Sequence, residues 1–217
     1  MSGSVSHSIR QRLADNKEII ANAVGFQLVW FICVQGNNFY AIVAVLVLLL
    51  LYRFTFSPNL KAWKALIIFS VLGYLGDGLI SYVFQLNYAE ATGIFSSSIP
   101  NDTVALSTEN SSYALPNPLT IFAPLWLLSL WIAFATTLNH SMKWILKTPA
   151  LIIVIALFLV PISYLAGIKL SSSQFMASLN DLNTFSFFLI EGVWWALLLS
   201  LYKKTVSFNT NSVISHE

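Results

Sequence analysis

The chain has 217 residues, of which 57% are hydrophobic and 9% are charged, with a formal net charge of +2. Soluble domains carry about 25% charged residues, so this composition excludes an ordinary soluble globular protein. Apolar runs of about twenty residues recur along the chain, which is typical of a multi-pass membrane protein. The single cysteine, Cys33, excludes an internal disulfide and a multi-cysteine metal site.

The first predicted elements are an N-terminal segment and two spans. Residues 1–18 are predicted to be a cytoplasmic segment, irregular as far as Ser8 and then a short surface helix over Ile9 to Lys17. The first span is predicted over Ile19 to Gln35. After a tight turn, the second span is predicted over Phe39 to Phe54, where the sequence is almost wholly apolar.

Polar residues and prolines mark the next boundaries. Ser57 followed by Pro58 predicts the cap and first residue of the third span, which runs to about Leu86. Residues 88–115 are rich in Ser, Thr and Asn and contain no lysine or arginine. A connection of this length is expected to be functional or disordered. The distribution of basic residues described below predicts that this loop is periplasmic.

Residues Asn117 to Lys147 are predicted to form the fourth span. Asn117 can cap the start of this helix, and Pro118 suits its first position. A long apolar run follows. The run turns polar at its end, and a helix in lipid tolerates such groups only where neighbours pair them or water reaches them. We therefore expect one inward stripe at helical spacing, made of Trp131, Ala135, Thr136, Asn139 and His140.

Two further spans complete the predicted bundle. Thr148 followed by Pro149 predicts the start of the fifth span, which ends near Ile168. Pro161 is expected to kink this helix. The sixth span is predicted over Leu182 to Tyr202.

Six spans place both termini on one side of the membrane, and basic residues select the side because they concentrate in cytoplasmic loops. Of the 11 basic residues, only Lys169 falls on the opposite side. The others are Arg10, Arg12, Lys17, Arg53, Lys61, Lys64, Lys143, Lys147, Lys203 and Lys204. We therefore predict an all-α bundle of six transmembrane helices over residues 19–202, with both termini cytoplasmic and a cytoplasmic tail over residues 203–217.

Two carboxylates lie inside predicted spans, Asp77 in the third and Glu191 in the sixth. An acid at the centre of a span costs about 2.5–3.5 kcal/mol, so such residues are rare and are functional candidates. Asp77 is roughly 20 Å of helix from Lys64, and Glu191 is roughly 18 Å from Lys203, which places both acids at similar depth. If they share one cavity, at least one should be protonated near neutral pH. The alternative is that both are protonated or paired groups that serve packing alone.

Other polar residues are candidates for the same site or for a second one. Asn22 and Gln27 of the first span are candidate partners for the two acids. A second group of polar and basic residues is expected at the cytoplasmic face, where it could hold a phosphate or a lipid head group. This cytoplasmic cluster consists of Asn139, His140, Ser141 and Arg53. One histidine without paired ligands does not make a metal site, and an interfacial role without chemistry is the alternative for His140.

Four stretches of the sequence resemble an uncharacterised family of small bacterial inner-membrane proteins, catalogued as domain of unknown function 2878. They are FQLVWFICV (Phe26–Val34), GYLGDGL (Gly73–Leu79), APLWLLSLWIAFATTLNHS (Ala123–Ser141) and PISYLAGIKL (Pro161–Leu170). The resemblance covers roughly Asn22 to Tyr202, and its most specific part is the pattern W-x-x-F-A-x-T-L-N-H-S over Trp131 to Ser141. It implies a multi-pass protein of the bacterial inner membrane and supplies no reaction.

Two classes of function and a structural alternative stay open. The first is a carrier of a small or amphipathic molecule that uses Asp77 and Glu191, which occupy matching places in two three-span halves, as in an inverted repeat. The second is a membrane enzyme or accessory protein that acts on lipids through Asn139, His140 and Ser141. The third is an assembly partner without chemistry. We expect the lipid bilayer as the surrounding partner, and no metal, cofactor or nucleic acid.

Overall fold

The computed structural model describes residues 2–35, 38–84, 123–170 and 181–214, and in these ranges it contains helices and turns with no β-strand. The α-helices are α1 (Ser2–Val34), α2 (Asn38–Phe56), α3 (Leu60–Val83), α4 (Leu125–Thr137), α5 (Pro149–Val154), α6 (Val160–Leu170) and α7 (Asp181–Ile214). A 3-10 helix, Lys143–Leu146, precedes α5, and a π-helical turn, Ile155–Leu159, joins α5 to α6. The predicted loop over 88–115 lies outside the described residues.

Several helices are long and apolar enough to cross a membrane. Within the described residues, the 5 candidate spans are Asn16–Val34, Asn38–Phe56, Leu60–Val83, Pro149–Gly167 and Leu182–Thr205. Helix α4 is equally apolar but has only 13 residues. The protein is therefore an all-helical, multi-pass membrane protein, as its composition predicts.

Helix α1 is continuous from Ser2 to Val34. The predicted irregular segment up to Ser8 is therefore wrong. Residues Ile9 to Lys17 are helical as predicted, but they are part of α1 and do not form a short helix of their own. The physical reason is that residues 4–24 contain no glycine or proline, so nothing in the sequence stops a helix before the first span.

The two cap predictions for α3 and α5 had different outcomes. Helix α3 begins at Leu60, and its cap is Asn59, whose side chain accepts a hydrogen bond of 2.9 Å from the Ala62 N–H. Ser57, the predicted cap, has a positive φ of 44° and lies outside the helix. For α5 the prediction is confirmed, because Thr148 Oγ1 accepts from the Leu151 N–H and Pro149 is the first helical residue.

Helix α4 lies inside the bundle, against α1, α2 and α3. Its first turn is capped by another helix, because Asn38 Oδ1 accepts a hydrogen bond of 2.9 Å from the Trp126 N–H. The helix ends at Thr137, and residues 138–142 form turns, so the predicted helix as far as Lys147 is wrong. At this end the Thr137 carbonyl accepts from the Met142 N–H, which closes a turn instead of extending the helix.

The π-helical turn lies directly before Pro161, where a kink was predicted. In it, the Val160 N–H donates to the carbonyl of Ile155, five residues back. Proline lacks an N–H, and in an α-helix its ring clashes with the carbonyl four residues earlier. The wider turn is thus the local irregularity that this proline imposes on the fifth span.

Candidate functional site

Asp77 on α3 and Glu191 on α7 are each only 1% exposed, although both are carboxylic acids. Their carboxyl groups lie next to each other, within hydrogen-bonding reach. Gly73, Gly76 and Ser81 are buried on the same face of α3 as Asp77, because they lie at helical spacing from it. The two acids thus meet where α3 packs against α7.

Two aromatic side chains hold Asp77 in place. Trp131 on α4 donates its indole N–H to Asp77 Oδ2 over 2.9 Å. Tyr164 on α6 donates its hydroxyl to the same oxygen over 2.6 Å. Together with Glu191, these contacts join four helices at one carboxyl group.

The remaining carboxyl oxygens have no conventional donor in the part of the chain that the structure describes. Asp77 Oδ1, Glu191 Oε1 and Glu191 Oε2 are buried and accept no hydrogen bond from an N–H or hydroxyl group there. No lysine or arginine in that part bonds to either acid. Because two adjacent carboxylates without a cation repel each other strongly, a proton shared between Asp77 and Glu191 is the arrangement that this geometry favours.

Glycines on α3 let two indole rings pack closely against the helix that carries Asp77. A Cβ atom at Gly73 would lie 2.2 Å from the Trp131 ring, and a Cβ atom at Gly76 would lie 2.0 Å from Trp194 Nε1. Trp131 also stacks on Trp195 of α7, with ring centroids 4.2 Å apart. The indole N–H groups of Trp194 and Trp195 are buried and make no hydrogen bond within the described residues. Asp77 therefore lies on a helix face packed with indole rings, and two of the N–H groups of these rings have no hydrogen-bond partner within the described residues.

The π-helical turn packs against the residue that follows Glu191. A Cβ atom at Gly192 would lie 3.0 Å from the Ala156 carbonyl oxygen and 2.8 Å from a methyl group of Leu157. Only glycine allows this approach between α7 and the turn. The irregular backbone before Pro161 thus lies beside one acid, and it continues into the helix that carries Tyr164.

A separate polar group links α1 to the end of α4. Ser141 donates its hydroxyl to Asn22 Oδ1 over 2.7 Å, and the Asn22 amide lies 3.5 Å from the carbonyl and hydroxyl oxygens of Thr136. Asn139 lies near the Tyr202 hydroxyl, but this hydroxyl makes no hydrogen bond of ordinary geometry to any described residue. Asn22 thus binds this end of α4 and does not contact the acids, contrary to the expectation from the sequence.

His140 is half-buried between aromatic rings at the same end of the bundle. It stacks on Phe56 with ring centroids 3.7 Å apart and meets Tyr52 edge-on at 5.5 Å. Burial of the ring, and then the positive charge of Lys143, lower the pKa of His140 below its ordinary value of 6.5. The predicted inward stripe is correct for Trp131, Ala135 and Thr136, which are buried in α4. Asn139 and His140 are half-buried and lie in the turns beyond the helix end.

Two predicted candidates, Gln27 and Arg53, are exposed. Gln27 is exposed on the outside of α1, and Arg53 is exposed on α2 next to the buried Tyr52. Asn22 and Gln27 are five residues apart, or about 140° around a helix, so they could not both face the bundle interior. Among the described residues, no group of three or more His, Cys, Asp or Glu side chains could hold a metal ion.

The model of the family described as protein of unknown function (DUF2878) matches residues 19–201. The chain belongs to this family. No curated protein and no solved structure matches the chain significantly. The matched range contains both acids and both donors to Asp77, so the whole buried site lies within the DUF2878 segment.

Sequence reasoning missed two residues of this DUF2878 site, Tyr164 and Trp194. Tyr164 lies three residues after Pro161, and its hydroxyl inside an apolar span is a polar group that needs a partner. That signal was available, because a buried tyrosine usually finds a hydrogen-bond acceptor. The approach of Trp194 to Gly76 depends on how α7 is rotated against α3, which helical spacing does not determine.

Proposed function

We propose that this DUF2878 protein is a proton-coupled carrier of a small or amphipathic molecule in the bacterial inner membrane, with Asp77 and Glu191 as its protonation site. The observation that carries the proposal is the contact between these two buried carboxyl groups without a bonded cation. Ionisable groups inside a membrane are costly, and where they persist they mark ion pathways and proton relays.

The proposed bundle has six spans, with α4 as the short fourth one. Helix α4 is parallel to α2, because Trp126 at its start is bonded to Asn38 while His140 after its end contacts Tyr52. Tyr52 follows Asn38 by the same number of residues as His140 follows Trp126. Because the two helices are paired at both ends, α4 is proposed to cross the membrane at the same depth as the candidate span α2. The turn after α4 is then proposed to lie at the membrane face.

Both termini are proposed to be cytoplasmic. The contacts of described residues support one common basic end: Trp63 at the start of α3 meets Tyr52 near the end of α2, and Lys203 on α7 donates to the Lys147 carbonyl. Lysines and arginines cluster at this end, and the positive-inside rule assigns such an end to the cytoplasm.

The proposed mechanism uses the charge state of the acid pair to change how α3 and α7 pack. With one shared proton, the carboxyls attract each other, and Asp77 keeps its bonds to Trp131 and Tyr164. Loss of that proton places two negative charges side by side, which favours separation of the helices or entry of water. The π-helical turn beside Gly192 is an irregular element at which such a movement can occur.

The alternative of a lipid-acting enzyme has less support. A serine nucleophile needs its hydroxyl directed at a general base, as in serine–histidine pairs. Here the Ser141 hydroxyl donates to Asn22, and the His140 ring stacks on Phe56. Both residues are thus engaged in packing and hydrogen bonds that tie the end of α4 to α1 and α2.

Charge movement after a pH step tests the proposal without knowledge of the cargo. Proteoliposomes adsorbed on a solid-supported membrane should give a transient current when protons bind inside the protein. We expect Asp77→Asn and Glu191→Gln to abolish this current, while Glu18→Gln, at an exposed carboxyl on α1, should leave it unchanged. Compounds that alter the transient in the wild type would then define the class of cargo.

The same experiment separates the carrier from a packing role. An amide at position 77 can still accept hydrogen bonds from Trp131 and Tyr164, so Asp77→Asn should insert and fold normally. If this variant keeps the full current of the wild type, the acids serve packing alone and the proposal fails.

A further inference from the structure

A surface groove of about 280 Å³ runs between α3 and α7, apart from the acid pair. Its walls are mainly apolar and include Phe69, Leu72 and Leu198. Both helices are candidate membrane spans, and the groove is lined by Ile68 and Leu201, which are exposed on their outer faces. Phe69 also packs edge-on against Trp131, with ring centroids 5.5 Å apart, so one ring separates the groove from the donor to Asp77.

The groove has a basic end. Lys61 and Lys64 line it at the first turns of α3, and both side chains are exposed. Thr205 lines the same end from α7, and no carboxylate is among the lining residues. The positive end of the α3 dipole points in the same direction and adds to the positive potential there.

We propose that this groove binds an anionic phospholipid, with an acyl chain along Phe69, Leu72 and Leu198 and the head-group phosphate at Lys61 and Lys64. Apolar contact alone would not select one lipid, because lipid tails are as apolar as the side chains of a membrane helix. Selection comes from the two lysines, since basic pockets between membrane helices attract anionic head groups at the cytoplasmic surface. The inference rests on the chain spanning a membrane and is independent of the acid pair.

Native mass spectrometry of the purified, full-length protein tests this site. Phosphatidylglycerol and phosphatidylcholine with the same acyl chains are offered at equal concentrations. We expect phosphatidylglycerol to bind more tightly, and the double substitution Lys61→Gln, Lys64→Gln to weaken its binding by about tenfold. The matched control is Lys143→Gln, Lys147→Gln, which removes two exposed lysines that do not line the groove and should leave the affinity unchanged.

A second variant tests the apolar part of the groove. Ile68 lines it and is 58% exposed, so Ile68→Trp should fill the groove without disturbing the core. This variant should lose phosphatidylglycerol although it keeps both lysines. Equal binding of the two lipids, an equal loss in the Lys143/Lys147 control, or displacement of the lipid by an equal concentration of glycerol phosphate would each overturn the proposal.

Discussion

The Tyr164 hydroxyl donates a hydrogen bond of 2.6 Å to Asp77 Oδ2, which ties α6 to α3 at a buried acid. This bond crosses between helices that are far apart in sequence. Helix α6 is mainly apolar, and this bond gives it a specific polar contact in the bundle interior. Hydrogen bonds of this kind fix helix rotation in membranes, where burial of apolar surface gives little guidance.

Removal of this donor should destabilise the bundle. Tyr164→Phe leaves Asp77 Oδ2 with Trp131 as its remaining donor, and we expect a loss of about 1 kcal/mol in the free energy of unfolding. Unfolding by a denaturing detergent, followed by circular dichroism, measures the change. Tyr82→Phe is the matched control, because Tyr82 is 52% exposed and its variant should unfold like the wild type. Equal stability of Tyr164→Phe and the control would show that the bond contributes nothing.

The glycines of α3 should differ sharply in their tolerance of alanine. Gly73→Ala and Gly76→Ala push a methyl group into the rings of Trp131 and Trp194, and we expect each to cost about 1–3 kcal/mol. Gly78→Ala is the control in the same helix, since its nearest neighbour, Ala123, lies at an ordinary distance of 3.5 Å. The control should be as stable as the wild type or slightly more stable, because alanine favours helix. Similar thermal stability of all three variants would contradict the close helix packing described here.

His140 should make the stability of the protein depend on pH. Its folded-state pKa lies below the unfolded value of 6.5, so folding favours the neutral ring. The stabilisation from this group is therefore complete above about pH 6.5 and declines as the pH falls through the unfolded and then the folded pKa. Thermal unfolding between neutral and mildly acidic pH measures the effect. His140→Phe should flatten this part of the profile, and an unchanged profile would contradict the burial of His140 against Phe56.

The proposed orientation predicts which engineered cysteines are accessible from outside the cell. In a Cys33→Ala background, a cysteine at Ser107 should react with a membrane-impermeant thiol reagent on intact cells, and one at Ser207 should not. The physical reason is the basic end of the bundle, which the membrane potential and insertion machinery retain in the cytoplasm. Disruption of the cells should allow Ser207→Cys to react. If the cysteine at Ser207 reacts on intact cells and the one at Ser107 does not, the proposed cytoplasmic position of the termini is wrong.

Counting residues from the basic ends of the spans was enough to predict that Asp77 and Glu191 lie at similar depth, and the structure places them in contact. Their hydrogen-bond partners were less predictable. The bond from Tyr164 depends on the rotation of α6, which follows an added π-helical turn and so differs from ideal helical spacing. Periodicity alone does not reveal such a shift in register.

Helix boundaries were predictable where a local signal existed. Thr148 before Pro149 is such a signal, and α5 begins there. The end of α4 has none, because the residues after Thr137 include no glycine or proline before Pro149. It is set by tertiary contacts instead: Ser141 bonds to Asn22, and His140 stacks on Phe56.

The most direct test of the central claim is the infrared absorption of protonated carboxyl groups in the reconstituted protein near neutral pH. The account predicts a C=O stretching band from a buried protonated acid in the wild type and in Glu18→Gln. That band should disappear in the double variant Asp77→Asn, Glu191→Gln. Absence of the band in the wild type, or its persistence in the double variant, would show that Asp77 and Glu191 do not share a proton.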